Sequence, residues 1–214
     1  RMRVNEIFYS IDGEGLRAGA LAVFIRLAGC NLRCSYCDTS YAWEEDAGQD
    51  MTIREILEYI ERYGCDRITL TGGEPLRSRE GMDLTRALVE EGYEVNIETN
   101  GSVAVEEVLV PGTIITMDYK CPSSGCESSM LTDNIGILRK SDALKFVVGT
   151  EEDLCKAAEI IEKYKPACQC FLSPVFGGIE PAEIVEFMKD KDMHRCRLQL
   201  QMHKYIWDPE EKGV

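Results

Sequence analysis

Short apolar runs alternate with amphipathic stretches along most of this chain. Residues 21–28 are rich in β-forming side chains and end at Gly29. Thr52 reads as an N-cap, followed by Ile53, Ile56, Leu57 and Ile60 at helical spacing. Residues 67–71 form a short strand stopped by Gly72 and Gly73. A helix is expected over 81–91 with Gly92 just past its end, then a strand over 93–99. Further strands are expected at 113–117, 143–148, 168–172 and 197–201. Helices fit 151–164, stopped near Pro166, and 181–189. Strand and helix in alternation point to parallel βα units. A closed eight-unit barrel takes about 250 residues. The chain has 214, so the expected fold is an open, partial α/β barrel of about six strands.

In such folds ligands gather at the C-terminal ends of the strands. The small and polar groups fall there: Gly29-Cys30, Thr71-Gly72-Gly73-Glu74-Pro75, Glu98-Thr99-Asn100-Gly101, Asp118-Tyr119-Lys120 and Ser173-Pro174. That shared placement argues for one site.

The length suits a single domain. With a net charge of −14, the chain repels a phosphate backbone, which argues against a nucleic-acid partner. No apolar run approaches a membrane span, and residues 1–5 lack the apolar core of a signal peptide. The expected location is therefore cytoplasmic. There the ten cysteines stay reduced or bind metal instead of forming disulfides.

Three of them stand close together, as Cys30, Cys34 and Cys37 with C-x3-C-x2-C spacing. A loop this short can wrap three thiolates round one centre, and thiolates suit iron–sulfur clusters and zinc. A [4Fe–4S] cube normally takes four cysteines, so three leave one iron open. A closed zinc site would need a fourth ligand from a distance, such as Cys65, Cys121 or a histidine. The spacing, with aromatic Tyr36 before the last cysteine, resembles the signature of the radical S-adenosylmethionine (SAM) superfamily. The resemblance implies a cluster whose open iron chelates the amino and carboxylate groups of SAM. It also implies SAM contacts from Tyr36, Gly72, Gly73, Glu74, Glu98, Asn100, Asp118, Lys120 and Ser173. Glu74 would meet the methionine ammonium.

Three further segments narrow the choice. Glu14 lies between Gly13 and Gly15, in the run Ile11-Asp12-Gly13-Glu14-Gly15, where its carboxylate can meet a ligand without crowding. Arg26 interrupts an apolar strand four residues before Cys30. It must be paired or face a cavity, and a two-pronged grip on a substrate carboxylate would use it well. His203, one of two histidines, lies in Gln201-Met202-His203-Lys204-Tyr205 directly after the last expected strand, where it could cap the site. Together these segments resemble the 7-carboxy-7-deazaguanine synthase family, from Asn5 to Pro209. That family would make the protein a radical SAM lyase producing 7-carboxy-7-deazaguanine from 6-carboxy-5,6,7,8-tetrahydropterin. It would be reduced by flavodoxin or ferredoxin, act as a homodimer, and serve the pathway to queuosine and archaeosine. Substrate contacts are then expected from Ile11, Asp12, Gly13, Glu14, Arg26, Thr71, His203 and Pro209, with Glu14 and Arg26 central. Thr39 would give its hydroxyl to Mg²⁺. The cluster loop would span 29–39 and a substrate-capping segment about 198–214. Two departures from the family pattern stand out: Asp12 occupies a position where glutamine is expected, and five residues follow Pro209. A radical SAM activase that makes a glycyl radical on a partner protein, and a non-catalytic metal-binding or electron-transfer protein, are the competing readings.

Overall fold

The computed structural model describes residues 1–214. In chain order its elements are β1 (Met2–Ile11), β2 (Leu21–Leu27), β3 (Gln49–Met51), α1 (Ile53–Ile60), β4 (Arg67–Gly72), α2 (Arg79–Glu90) and β5 (Glu94–Thr99). There follow β6 (Thr113–Lys120), α3 (Asp133–Ile137), β7 (Ala143–Val148), α4 (Glu151–Tyr164), β8 (Gln169–Pro174), α5 (Pro181–Asp190), β9 (Cys196–Leu198) and α6 (His203–Ile206). All nine strands belong to one sheet, in the order β3-β1-β2-β4-β5-β6-β7-β8-β9. From β2 to β9 every neighbour is parallel. β1 is antiparallel to both β2 and β3. The ends of the sheet do not pair, so the barrel is open and partial as expected, with short or missing helices between β5, β6 and β7.

Two details differ from expectation. The parallel run holds seven strands, the last only three residues long, and the N-terminal β1 with the short β3 at residues 49–51 adds an antiparallel edge. β1 mixes polar and apolar side chains without a clean period, Met-Arg-Val-Asn-Glu-Ile-Phe-Tyr-Ser-Ile, because it carries a register shift between Val4 and Glu6. The helix starts follow local chemistry. Thr52 accepts from Glu55 N at 3.2 Å while Glu55 accepts from Thr52 N at 2.7 Å, a reciprocal cap. No helix is long and apolar enough to cross a membrane.

Alternation within the parallel strands separates the two faces. Ile68, Leu70, Val95, Ile97, Ile115, Met117, Leu144 and Phe146 join one apolar cluster of 34 buried residues with α-helical Ile56, Leu84, Leu88, Leu154 and Ile184. Their neighbours Thr71, Glu98, Thr116, Asp118, Lys120 and Lys145 turn to the opposite, concave side. The helices therefore pack on one face of the sheet, and the polar set is left lining a hollow.

Candidate active site

That hollow is a cavity of about 700 Å³, with Cys30, Cys34 and Cys37 on one wall and Glu14, Arg26 and His203 on another. The cysteine loop is anchored at both ends: Gly29 N donates to Ala42 O at 2.8 Å and Cys30 N to Trp43 O at 2.9 Å. Leu32 N and Asn100 Nδ2 both point donors at Cys30 Sγ, at 3.4 and 3.8 Å, which offsets part of the burial that pushes its pKa up. Cys30, Cys34 and Cys37 line the same cavity, and three thiolates are the number that a [4Fe–4S] cube with one open iron would need. Tyr36 donates to Val147 O at 3.5 Å, and Thr39 Oγ1 lies 3.7 Å from Cys37 Sγ.

The glycine pair after β4 is required by close packing. A Cβ on Gly72, whose φ is +151°, would lie 2.2 Å from Leu27 O, and one on Gly73 would lie 2.8 Å from Cys30 Cβ. Only glycine lets this loop press against the cysteine loop. Glu74 has its side chain engaged within the chain. It lies outside the cavity lining, fully buried, and accepts from Leu76 N (3.0 Å), Thr99 Oγ1 (2.9 Å) and Asn100 N (2.6 Å). Its carboxylate ties two strand-end loops together. Glu98, Asn100, Asp118 and Lys120 do line the cavity, and Lys120 donates to Asp118 at 2.6 Å. Ser173 does not line it; its hydroxyl donates to Gln199 O and, at 3.4 Å, to Glu14.

Burial pushes the carboxyls of Glu74 and Glu98 up to about 7, against hydrogen bonds to Glu74 and the Lys145 charge beside Glu98. Both bind protons more tightly folded than unfolded. The stability they contribute is therefore complete below their unfolded value of 4.5 and is lost as pH rises through about 7. Urea unfolding of the cluster-free protein is expected to show stability falling from pH 5 to 7.5 (about the span these values set). Glu98→Gln should flatten that fall, and an equally steep fall in the variant would refute the assignment.

At the other wall Glu14 accepts from Lys145 Nζ at 2.9 Å. Gln199 clamps the loop that carries it, accepting from Gly15 N at 2.7 Å and donating to Gly15 O at 3.0 Å. Arg26 is both paired and cavity-facing. It donates to Glu6 through Nε at 2.8 Å, and Tyr41 donates to the same carboxylate oxygen at 3.0 Å. Its two Nη groups make no bond within the chain and remain for a ligand. Asp12 is buried outside the cavity lining, accepting from Arg17 Nε (2.9 Å) and Thr69 Oγ1 (2.5 Å). Its shorter carboxylate serves the arginine that reaches β4 and β5, which also donates to Ile68 O at 2.9 Å. Ile11, Gly13, Thr71 and Pro209 line the cavity, as do the five residues after Pro209.

His203 opens α6 and does not follow directly on a strand, because the last strand stops at Leu198. It covers Gly13 so closely that a Cβ there would lie 2.2 Å from its Nδ1. Gly13→Ala is therefore expected to expel the imidazole and weaken substrate binding about tenfold or more, with little change in thermal midpoint. Unaltered binding in that variant would remove His203 from the site.

Lys145 is the site residue that reading the loops overlooked. Its ammonium bonds Glu14 and lies 3.2 Å from Asp118 Oδ1. Burial lowers its pKa, but Asp118 and Glu14 more than offset this and hold it well above the usual value. The signal was a lone lysine inside an apolar strand, the same signal that singles out Arg26.

Comparison with known proteins agrees with this geometry. The pattern of the Radical SAM superfamily matches residues 24–111, which contain the cysteine loop and the glycine pair. The 7-carboxy-7-deazaguanine synthase of Clostridium acetobutylicum is 47% identical over 99% of both chains. The chain belongs to the 7-carboxy-7-deazaguanine synthase family. The family's member from Methanospirillum hungatei is 40% identical over 97% of this chain and 86% of its own. The crystal structure of QueE from Escherichia coli superposes with a TM-score of 0.75 over 94% of both chains, at 26% identity. SuiB from Streptococcus suis, at 11% identity, shares the fold with a TM-score of 0.58 over 80% of this chain and 46% of its own. As a radical SAM lyase of the 7-carboxy-7-deazaguanine synthase family, the protein uses a [4Fe–4S] cluster and SAM on a small-molecule substrate. The activase and electron-transfer readings are set aside.

Proposed function

We propose that the protein converts 6-carboxy-5,6,7,8-tetrahydropterin to 7-carboxy-7-deazaguanine with loss of ammonia, for deazapurine biosynthesis. What carries this reading is one chamber with three thiols on one wall and a half-free guanidinium beside a carboxylate on the other. When bound, the cluster and SAM supply the radical that takes hydrogen from the substrate. The chain's own residues bind and orient. Cys30, Cys34 and Cys37 hold the cluster, and Tyr36, Gly72, Gly73, Glu98, Asn100, Asp118 and Lys120 surround SAM. The Nη pair of Arg26 grips the substrate carboxylate. Glu14 and Thr71 meet its ring edge, Ile11, Gly13 and Pro209 flank it, and His203 closes the open side against water. Glu74, Ser173 and Asp12 act from behind, holding the loops that carry these groups.

Thr39 offers a hydroxyl oxygen at the cavity beside Cys37, in keeping with a Mg²⁺ held mainly by waters and substrate oxygens. The whole chain would act as one domain in a cytoplasmic homodimer, reduced by flavodoxin or ferredoxin. The test is anaerobic turnover of cluster-loaded protein with SAM, dithionite, Mg²⁺ and 6-carboxytetrahydropterin, followed by mass spectrometry. Appearance of 7-carboxy-7-deazaguanine upholds the reading, its dependence on Mg²⁺ upholds the metal, and SAM cleavage without that product defeats the substrate assignment.

A further inference from the structure

Lys145 stands between the two halves of the cavity. Its ammonium donates to Glu14 at 2.9 Å and lies 3.2 Å from Asp118, which Lys120 holds from its other oxygen at 2.6 Å. Ser173 reaches Glu14 from behind at 3.4 Å. These five side chains make one continuous polar run from the Gly13-Glu14-Gly15 loop to the end of β6, the strand whose Lys120 faces the same cavity as the cysteines. The Lys145 and Glu14 side chains are only 8% and 10% exposed.

An ammonium taken out of water is costly unless its partners compensate. β7 is otherwise apolar, Ala143-Leu144-Lys145-Phe146-Val147-Val148, and a methionine at 145 would fill the same space. The charge has to be explained by what it holds. Gln199 clamps the backbone of the Glu14 loop at Gly15, so what is left to fix is the Glu14 side chain, whose side-chain partners are Lys145 and Ser173.

We infer that Lys145 is a positioning residue for the reaction proposed above: it fixes the Glu14 carboxylate toward the substrate and, through Asp118, sets the spacing between substrate and SAM. No bond to either molecule is required of it. A role of this kind affects binding and coupling more than it affects the fold.

The test compares wild type, Lys145→Met, Lys145→Arg, Glu14→Ala and the double variant Glu14→Ala/Lys145→Met, each loaded with its cluster. Anaerobic calorimetry gives the substrate Kd with SAM present; kinetics gives KM, kcat and 5′-deoxyadenosine released per product. Lys145→Met is expected to raise Kd and KM on the order of 100-fold, since a buried carboxylate loses its partner. kcat should fall less, and more 5′-deoxyadenosine should escape per product. Lys145→Arg should restore most of the affinity. The double variant should bind no worse than Glu14→Ala alone, because the lysine then has nothing to position. Unchanged Kd and KM with a lowered thermal midpoint would make Lys145 merely structural and overturn the inference. Multiplied losses in the double variant would also overturn it, by showing that Lys145 acts apart from Glu14. Should Lys145→Met fail to fold, Lys145→Gln keeps a donor without the charge and is read in the same way. A wild-type protein that neither binds nor converts the substrate overturns the proposed reaction, and this role with it.

Discussion

Replacing Cys37 with alanine is expected to give a folded, colourless protein that no longer cleaves SAM. Cys37 lies half-buried in the loop after β2 and outside the 34-residue core. Its Sγ makes one weak polar contact, to Thr39, and packs at the edge of the small cluster of Leu32, Cys34 and Cys126. Losing it should cost no more than about 1 kcal/mol of stability, leaving the cluster-free variant within a few degrees of the wild-type midpoint. The chemical loss is of another size. With two thiolates the cube is under-ligated, and without it no electron reaches SAM. Brown colour after anaerobic reconstitution, iron content and 5′-deoxyadenosine release are the three measurements. A brown Cys37→Ala protein that still cleaves SAM would exclude Cys37 as a ligand. Cys34→Ala should lose the same chemistry but also some stability, since Cys34 is buried against Leu32 and Cys126 and leaves a gap there.

Arg26→Ala should abolish conversion of the pterin while the cluster, SAM binding and uncoupled SAM cleavage survive. The guanidinium uses Nε for Glu6 and keeps its fork for a ligand. A two-pronged carboxylate grip in a largely enclosed cavity is worth roughly 3–5 kcal/mol when one partner is removed. That corresponds to a loss in kcat/KM of about 10³. Arg26→Lys should rescue poorly, because one ammonium cannot serve Glu6 and a planar carboxylate at once. The fold should tolerate the change, since Glu6 is 22% exposed and still accepts from Tyr41. Near-normal turnover by Arg26→Ala would defeat the carboxylate-binding role.

Most strands and the position of the site were legible because the parallel strands are buried apolar runs ending in glycine or polar residues. β1 was not, since its register shift spoils the period. Nor were the true partners of Asp12 and Glu74. Asp12 meets Thr69 across 57 residues, and Glu74 meets Thr99 and Asn100 across 25 and 26. A carboxylate bound for the interior reads the same in sequence as one bound for a ligand. Lys145 is not at a strand end but inside β7, where its only sign in the sequence is a charge within an apolar run, the sign that also marks Arg26 in β2.

The two walls of the cavity are assembled over very different stretches of chain. The cysteines fall within eight consecutive residues, so they can gather iron while synthesis is still under way. The Gln199 clamp on Gly15 joins residues 184 apart, and closing so long a loop must wait for everything between to be made and docked. During synthesis the three cysteines emerge early, and the wall proposed to enclose the substrate is incomplete until His203 has emerged. In chain order the loop proposed to hold the cluster is thus complete long before the chamber that would contain a radical.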